Sequence, residues 1–99
     1  LNAYPQSDSA DNAQYWLAEA NYGKQNYPAA LIEFKKVIDD YPKSSKVPGA
    51  ALKLGYSHYE MAQWDQARAV LTSLKNDYPN TAASRLAAER LKRMKREGH

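Results

Sequence analysis

The sequence predicts an all-α solenoid: two helix hairpins, then one closing helix, all built from a single unit. Three observations carry this. Tyr-Pro recurs at Tyr4-Pro5, Tyr41-Pro42 and Tyr78-Pro79, 37 residues apart each time, with a hydroxyl two residues after each proline (Ser7, Ser44, Thr81). Sliding the chain by the same step superposes its apolar positions: Ala13 on Ala50 and Ala87, Leu17 on Leu54 and Leu91, Ala30 on Ala67, Phe34 on Leu71, Val37 on Leu74. Within each unit those positions follow the three-to-four spacing of a helix with one buried face. Self-similarity at such a period is the signature of stacked repeats.

The elements follow in order. Ala10, Ala13, Leu17 and Ala20 mark the first helix, with this edge expected in the core. Asn26-Tyr27-Pro28 makes the hairpin turn, and Ala30, Phe34, Val37, Ile38 and Tyr41 mark the second helix. Each proline lacks an N–H and restricts the residue before it, so Tyr41 and Tyr78 end their helices. The hydroxyl that follows is placed to cap the next helix. Val47, Ala50, Ala51, Leu54, His58 and Met61 mark the third helix, Gln63-Trp64-Asp65 the second turn, and Ala67, Val70, Leu71, Leu74 and Tyr78 the fourth. The fifth helix, from about Ala82 to Glu97, has an apolar edge (Ala87, Leu91, Met94) on a charged surface, as a terminal layer without a neighbour requires. The expected organisation is one domain over residues 1–99, with repeats at about 7–41 and 44–78 and a capping helix at 81–97. Two and a half repeats are few for a solenoid, and the expectation is a monomer of modest stability.

Composition agrees. The apolar share of 43% is largely Ala and Tyr with one Phe, which suits thin layers of closely approaching helices better than one thick core. No cysteine is present, so neither a disulfide framework nor a thiol nucleophile is available. No apolar run approaches the roughly 20 residues that span a bilayer, so membrane insertion is not expected. The opening Leu1-Asn2-Ala3-Tyr4-Pro5 does not read as a signal peptide but as a start within a longer chain. The net charge of +3 is uneven: residues 1–84 hold 8 Lys and Arg against 9 Asp and Glu, and residues 85–99 hold 6 against 2. A basic run confined to one helix beside a slightly acidic remainder argues against a nucleic-acid tracking surface.

The unit resembles the tetratricopeptide pattern, in which W-x2-L-G-x2-Y is followed by small, aromatic and proline positions. Leu54-Gly55, Ala67, Leu71, Leu74 and Pro79 stand at its offsets in the second unit, and Leu17-Ala18, Ala30, Phe34, Val37 and Pro42 in the first. The departures are Gln14 and Ala51 at the Trp position, Asn21 and His58 at the Tyr position, and a period longer than the usual 34 or so. Over nearly its whole length the chain is also similar to the C-terminal domains of the Tol-Pal-associated periplasmic YbgF/CpoB family. The run from Tyr4 to Leu17, Phe34-Lys-Lys-Val37, Asp40-Tyr-Pro-Lys-Ser44, Gln63-Trp64 and the stretch from Arg85 to His99 carry that similarity. The resemblance implies a periplasmic location, TolA as partner, and a trimerising N-terminal coiled coil upstream. It also implies a role in outer-membrane integrity, coupling outer-membrane constriction to septal peptidoglycan synthesis in cell division. Tyr-Pro-x-Ser repeats occur as well in the lipoprotein of the outer-membrane β-barrel assembly machine. A scaffold of that kind, or a general peptide-binding adaptor, is the alternative.

In tetratricopeptide solenoids the first helices of the units line a concave groove. Transferred to this chain, that geometry puts Asn12, Tyr15, Glu19 and Tyr22 on the groove edge of the first helix, and Gly49, Leu52, Tyr56 and Tyr59 on that of the third. The fifth adds Leu86, Glu89, Arg90, Arg93 and Arg96. Tyrosine and arginine are the residues that most often anchor a partner, so the candidate binding set is Tyr15, Glu19, Tyr22, Leu52, Tyr56, Tyr59, Arg90 and Arg93. Tyr22 and Tyr59 serve equally as packing between layers, in place of the tyrosine the family pattern puts at Asn21 and His58.

No catalytic, metal or cofactor site is expected. His58 has no second ligand three or four residues away, and His99 is expected in a disordered tail. Gly55-Tyr56-Ser57-His58 begins a nucleophile-elbow motif but Tyr59 replaces its last glycine and the run lies within a helix. Glu19 and Glu60 have no positioned acid or base partner, and the four glycines form no phosphate loop. A clamp for a chaperone's C-terminal carboxylate would need Lys, Arg and Asn where Tyr15, Glu19, Leu52, Tyr56 and Glu89 stand.

Overall fold

A computed structural model describes residues 9–99. The first Tyr-Pro pair and Ser7 lie outside them. The described residues form α1 (Ala10–Gly23), α2 (Tyr27–Asp40), α3 (Val47–Glu60), α4 (Trp64–Asp77) and α5 (Ala82–Arg96), with no strand among them. Each helix packs on the next in sequence, and α3 also touches α1 and α5. No such contact joins α2 to α4. The first helices of the units therefore form a closed row and the second helices an open one. A stack bends toward its closed side, so α1, α3 and α5 lie on the inner side of an elongated body of 51 × 29 × 18 Å.

Two core clusters hold the stack, and each joins one hairpin to the helix that follows it. Ala18, Ala30, Phe34, Val37, Ala50 and Leu54 form the first; Leu52, Ala67, Leu71, Leu74, Ala87 and Met94 form the second. Ala30 and Ala67 are fully buried, as close approach of paired helices requires. Gly55 has the same role: a Cβ there would lie 2.5 Å from Leu71 Cδ2.

The expected core edge of α1 is corrected. Ala13, Leu17 and Ala20 are exposed, Leu17 by 50%, and Ala18 is the buried residue. Ala50 and Leu54, their counterparts one repeat on, are buried because they face back onto α2. Among the described residues no layer precedes α1, so Ala13 and Leu17 have nothing to pack against. The other end of the stack is closed differently. Ala18 and Gly55 stand where the second helix of each hairpin approaches; the same register position in α5 is Lys92, exposed and too large to admit a helix there.

The helix ends agree with the expected boundaries more closely than with the expected caps. Tyr41 and Tyr78 are the C-caps of α2 and α4, each donating its N–H to the carbonyl four residues back at 3.0 Å. Thr81 caps α5, its Oγ1 accepting the Ser84 N–H at 3.0 Å. Ser44 does not cap α3 in this way. Its Oγ accepts the Lys46 N–H and donates to Asp11, and the helix starts at Val47. Pro48 is the reason, because a helix started two residues earlier would need an N–H that proline lacks. Asp11 in turn accepts from the hydroxyls of Ser44 and Ser9, which holds its carboxyl below the usual range.

Both hairpin turns use one backbone motif. Gln25 and Ala62, one period apart, have φ of 61° and 58° and donate to Tyr22 O and Tyr59 O. Asn26 and Gln63 then donate to Asn21 O and His58 O, completing a Schellman closure. The left-handed conformation disfavours any residue with a Cβ. Ala62→Gly is therefore expected to stabilise the chain by about 0.5–1 kcal/mol despite glycine's larger unfolded-state entropy, read as a higher melting temperature. No gain would mean that the turn is not strained. α5 ends in the same motif with glycine in place, Gly98 at φ 87°. His99, expected in a disordered tail, is instead folded back: its ring stacks on Trp64 at 3.5 Å and its N–H donates to Met94 O.

Candidate partner-binding face

The inner row brings a string of aromatic and charged side chains onto one side. At its α1 end, Tyr15 lies over Gly49, where an added Cβ would meet its Oη at 3.3 Å, and its ring meets Phe34 edge-on at 5.9 Å. Tyr15 Oη donates to Glu19 Oε2 at 3.1 Å. Burial first, and then the Glu19 charge and this hydrogen bond, push the Tyr15 phenol up to about 12. Glu19 also accepts from Lys53 Nζ at 2.7 Å, a partly covered ion pair that straps α1 to α3. Lys53 lies 4.9 Å from the centre of the Tyr22 ring. Tyr22 packs edge-on to Tyr27 and Phe34, and burial, with smaller contributions from Tyr27 and Glu60, raises its phenol.

At the α5 end the Arg90 guanidinium carbon sits 4.1 Å from the Tyr56 ring centre and 4.7 Å from that of Tyr59. Arg93 lies 5.5 Å from the Tyr59 ring. Tyr59 Oη donates to Glu97 Oε1 at 2.5 Å, and Arg93 Nε donates to Glu97 Oε2 at 3.0 Å. The hydrogen bond to Glu97 raises the Tyr59 phenol, and the Tyr59 and Arg93 donors together hold Glu97 below the usual carboxylate range. Arg90 Nη1 is buried without a hydrogen-bond acceptor, so its partners are the tyrosine π faces.

Seven of the eight residues singled out from sequence are thus partly or largely accessible on the inner row: Tyr15, Glu19, Tyr22, Tyr56, Tyr59, Arg90 and Arg93. Leu52 is not. It is 6% exposed and packs in the second core cluster with Ala87 and Met94, because α5 crosses α3 at that level. Tyr22 and Tyr59 both pack and face outward. Sequence reasoning missed Lys53 and Glu97, which set the polarity of the two ends. Lys53 stands one period after Trp16, so a search for cations on the helix face shared with Tyr56 would have found it. It also missed an apolar groove of about 340 Å³ on the other side, between α2 and α4 above α3, lined by Ile38, Val47, Ala51, Leu54, Val70 and Tyr78 among others.

His58 Nδ1 contacts Gln63 Oε1 at 2.7 Å. Among the described residues no group of three His, Cys, Asp or Glu could hold a metal ion, and no helix is long and apolar enough to cross a membrane.

Stacked helix hairpins with an aromatic and charged inner row define a helical-repeat module that binds other proteins. The tetratricopeptide-repeat family model matches residues 12–44 and 50–81, and the chain belongs to that family. Repeats of this family are in general protein-binding rather than catalytic. No curated protein matches the chain.

Proposed function

We propose that the chain is a periplasmic protein-interaction module of the Tol-Pal system that binds TolA through the inner row of α1, α3 and α5. In this reading it helps to coordinate outer-membrane constriction with septal peptidoglycan synthesis, and a coiled coil upstream of the chain supplies trimerisation. The resemblance of the chain to the YbgF/CpoB domains supports the system and the partner. The observation that carries the site is the convergence of Tyr22, Tyr56 and Tyr59 with Arg90 and Arg93 on one side of the stack. Tyrosine buries a large area at small rotamer cost and keeps a polar tip, so an apolar segment of TolA lies on the rings while its acidic residues meet the arginines.

Calorimetric titration with the periplasmic region of TolA tests this, after circular dichroism shows each variant folded. Tyr56→Ala is expected to weaken binding by about tenfold or more, as loss of an aromatic anchor does. Arg93→Glu should weaken it in low salt and less in high salt, because charge repulsion is screened. Lys75→Ala, exposed on α4, should leave it unchanged. Wild-type affinity in both Tyr56→Ala and Arg93→Glu would move the site off the inner row. No binding of TolA by the unaltered chain would favour a peptide-binding adaptor of another system.

A further inference from the structure

We infer that the pocket between Tyr56 and the arginines of α5 is a carboxylate subsite, taking a glutamate or aspartate side chain from the peptide that lies on the tyrosine face. It rests on the inner row being the binding face. The pocket has a volume of about 240 Å³ and is lined by Tyr56, Leu86, Glu89, Arg90, Arg93 and Arg96. Three guanidinium groups face one carboxylate, so the pocket carries a surplus of positive charge. Two of the three are unspent: among the described residues neither Arg90 nor Arg96 has a carboxylate partner.

Arg90 is also held in place. Its guanidinium lies against two tyrosine rings, one nitrogen buried with no acceptor, so little side-chain freedom remains to be lost when an anion arrives. The chain itself shows the chemistry next door. Glu97 is gripped jointly by the Tyr59 hydroxyl and Arg93 Nε. Tyr56, Arg90 and Arg96 bring a phenol and two guanidinium groups to the lining of one pocket, with no carboxylate paired to either arginine among the described residues.

The surroundings select the kind of anion. Half-exposed Leu86 gives one wall an apolar surface for the methylene groups of an acidic side chain. Glu89 in the lining, with Glu97 paired to Arg93 at its edge, opposes a polyphosphate or nucleic-acid backbone. The volume lies below the roughly 300–1,000 Å³ of sites for drug-sized molecules and suits one side chain.

The test needs no protein partner. The probe is N-acetyl-glutamic acid α-amide, which carries a single carboxylate, and the reference is its glutamine counterpart. Both are titrated into the 15N-labelled chain while the arginine Nε–Hε resonances are followed. The expected result is a saturable shift of Arg90 and Arg96 with the glutamate probe, none with the glutamine reference, and no movement of Arg68 or Arg85. Arg96 is exposed, so Arg96→Gln leaves the packing intact and should weaken the response roughly threefold, the scale of one exposed ion pair. Equal responses to the two probes, movement of Arg85 in step with Arg90, or an unchanged response in Arg96→Gln would each overturn the subsite. A negative result here beside a TolA affinity that depends on Tyr56 removes the subsite and leaves the binding face. The reverse pattern removes TolA from the face and leaves the subsite.

Discussion

Leu54→Ala is expected to destabilise the chain by about 2–5 kcal/mol, whereas Leu17→Ala, at the matched position one repeat earlier, should change stability by no more than about 0.5 kcal/mol. Both are leucines on the first helix of a repeat, and the pattern of the sequence treats them alike. Leu54 is 7% exposed and packs into the cluster of Phe34, Val37 and Ala50, so its truncation loses transfer free energy and leaves a cavity. Leu17 is 50% exposed and leaves no cavity. In a domain of this size 1 kcal/mol moves the melting temperature by roughly 4–8 °C, so the two variants separate clearly in thermal melts and urea titrations. Equal costs would mean that Leu17 is covered in solution, by a second copy or by residues before α1, and that the first layer is not open.

Gly55→Ala is expected to cost about 1–3 kcal/mol, although alanine is favoured over glycine in a helix by nearly 1 kcal/mol. The added Cβ would lie 2.5 Å from Leu71 Cδ2 and 2.7 Å from its Cγ, and Leu71 is fully buried with nowhere to turn. Separation of α3 from α4 is the remaining response, and it would loosen Ala67 and Leu74 as well. The cause is testable by a change of sign. In a Leu71→Ala background the obstruction is gone, and the same Gly55→Ala substitution should become stabilising by up to about 1 kcal/mol. A destabilising effect of similar size in both backgrounds would show that something other than Leu71 demands glycine. The first repeat solves the same contact with Ala18 against Phe34, both fully buried. There the side chain facing the small residue is a planar ring instead of a branched aliphatic group.

These two positions illustrate where the binding face depends on the scaffold. Tyr56 and Tyr59 are carried by α3, whose distance from α4 is set by Gly55 against Leu71 and whose distance from α1 is set by Gly49 under Tyr15. The arginines come from α5, which is held by Ala87 and Met94. A variant that separates α3 from α4 should therefore disturb the face without touching it, which is why binding measurements need the fold of each variant checked first.

The order of the helices, their ends at Tyr41 and Tyr78, and the alanines at their close contacts were legible in the sequence. Proline, small residues and helical spacing act through local backbone chemistry that any structure must obey. Tyr15, Glu19, Tyr22, Tyr56, Tyr59, Arg90 and Arg93 were legible as one side of the stack because the resemblance to tetratricopeptide solenoids implies a shared groove along the first helices. What periodicity could not convey is which layers exist beside a face. It treats Leu17 as Leu54 and Leu52 as Tyr56, and the structure separates each pair: among the described residues Leu17 has no layer before it, and Leu52 lies under α5. The left-handed Gln25 and Ala62 carry no glycine to announce them, and Ser44 yielded its capping role to a proline four residues on. Burial is a property of neighbours, not of a residue's place in a repeat, and only the packed stack decided which identical positions became core and which became surface.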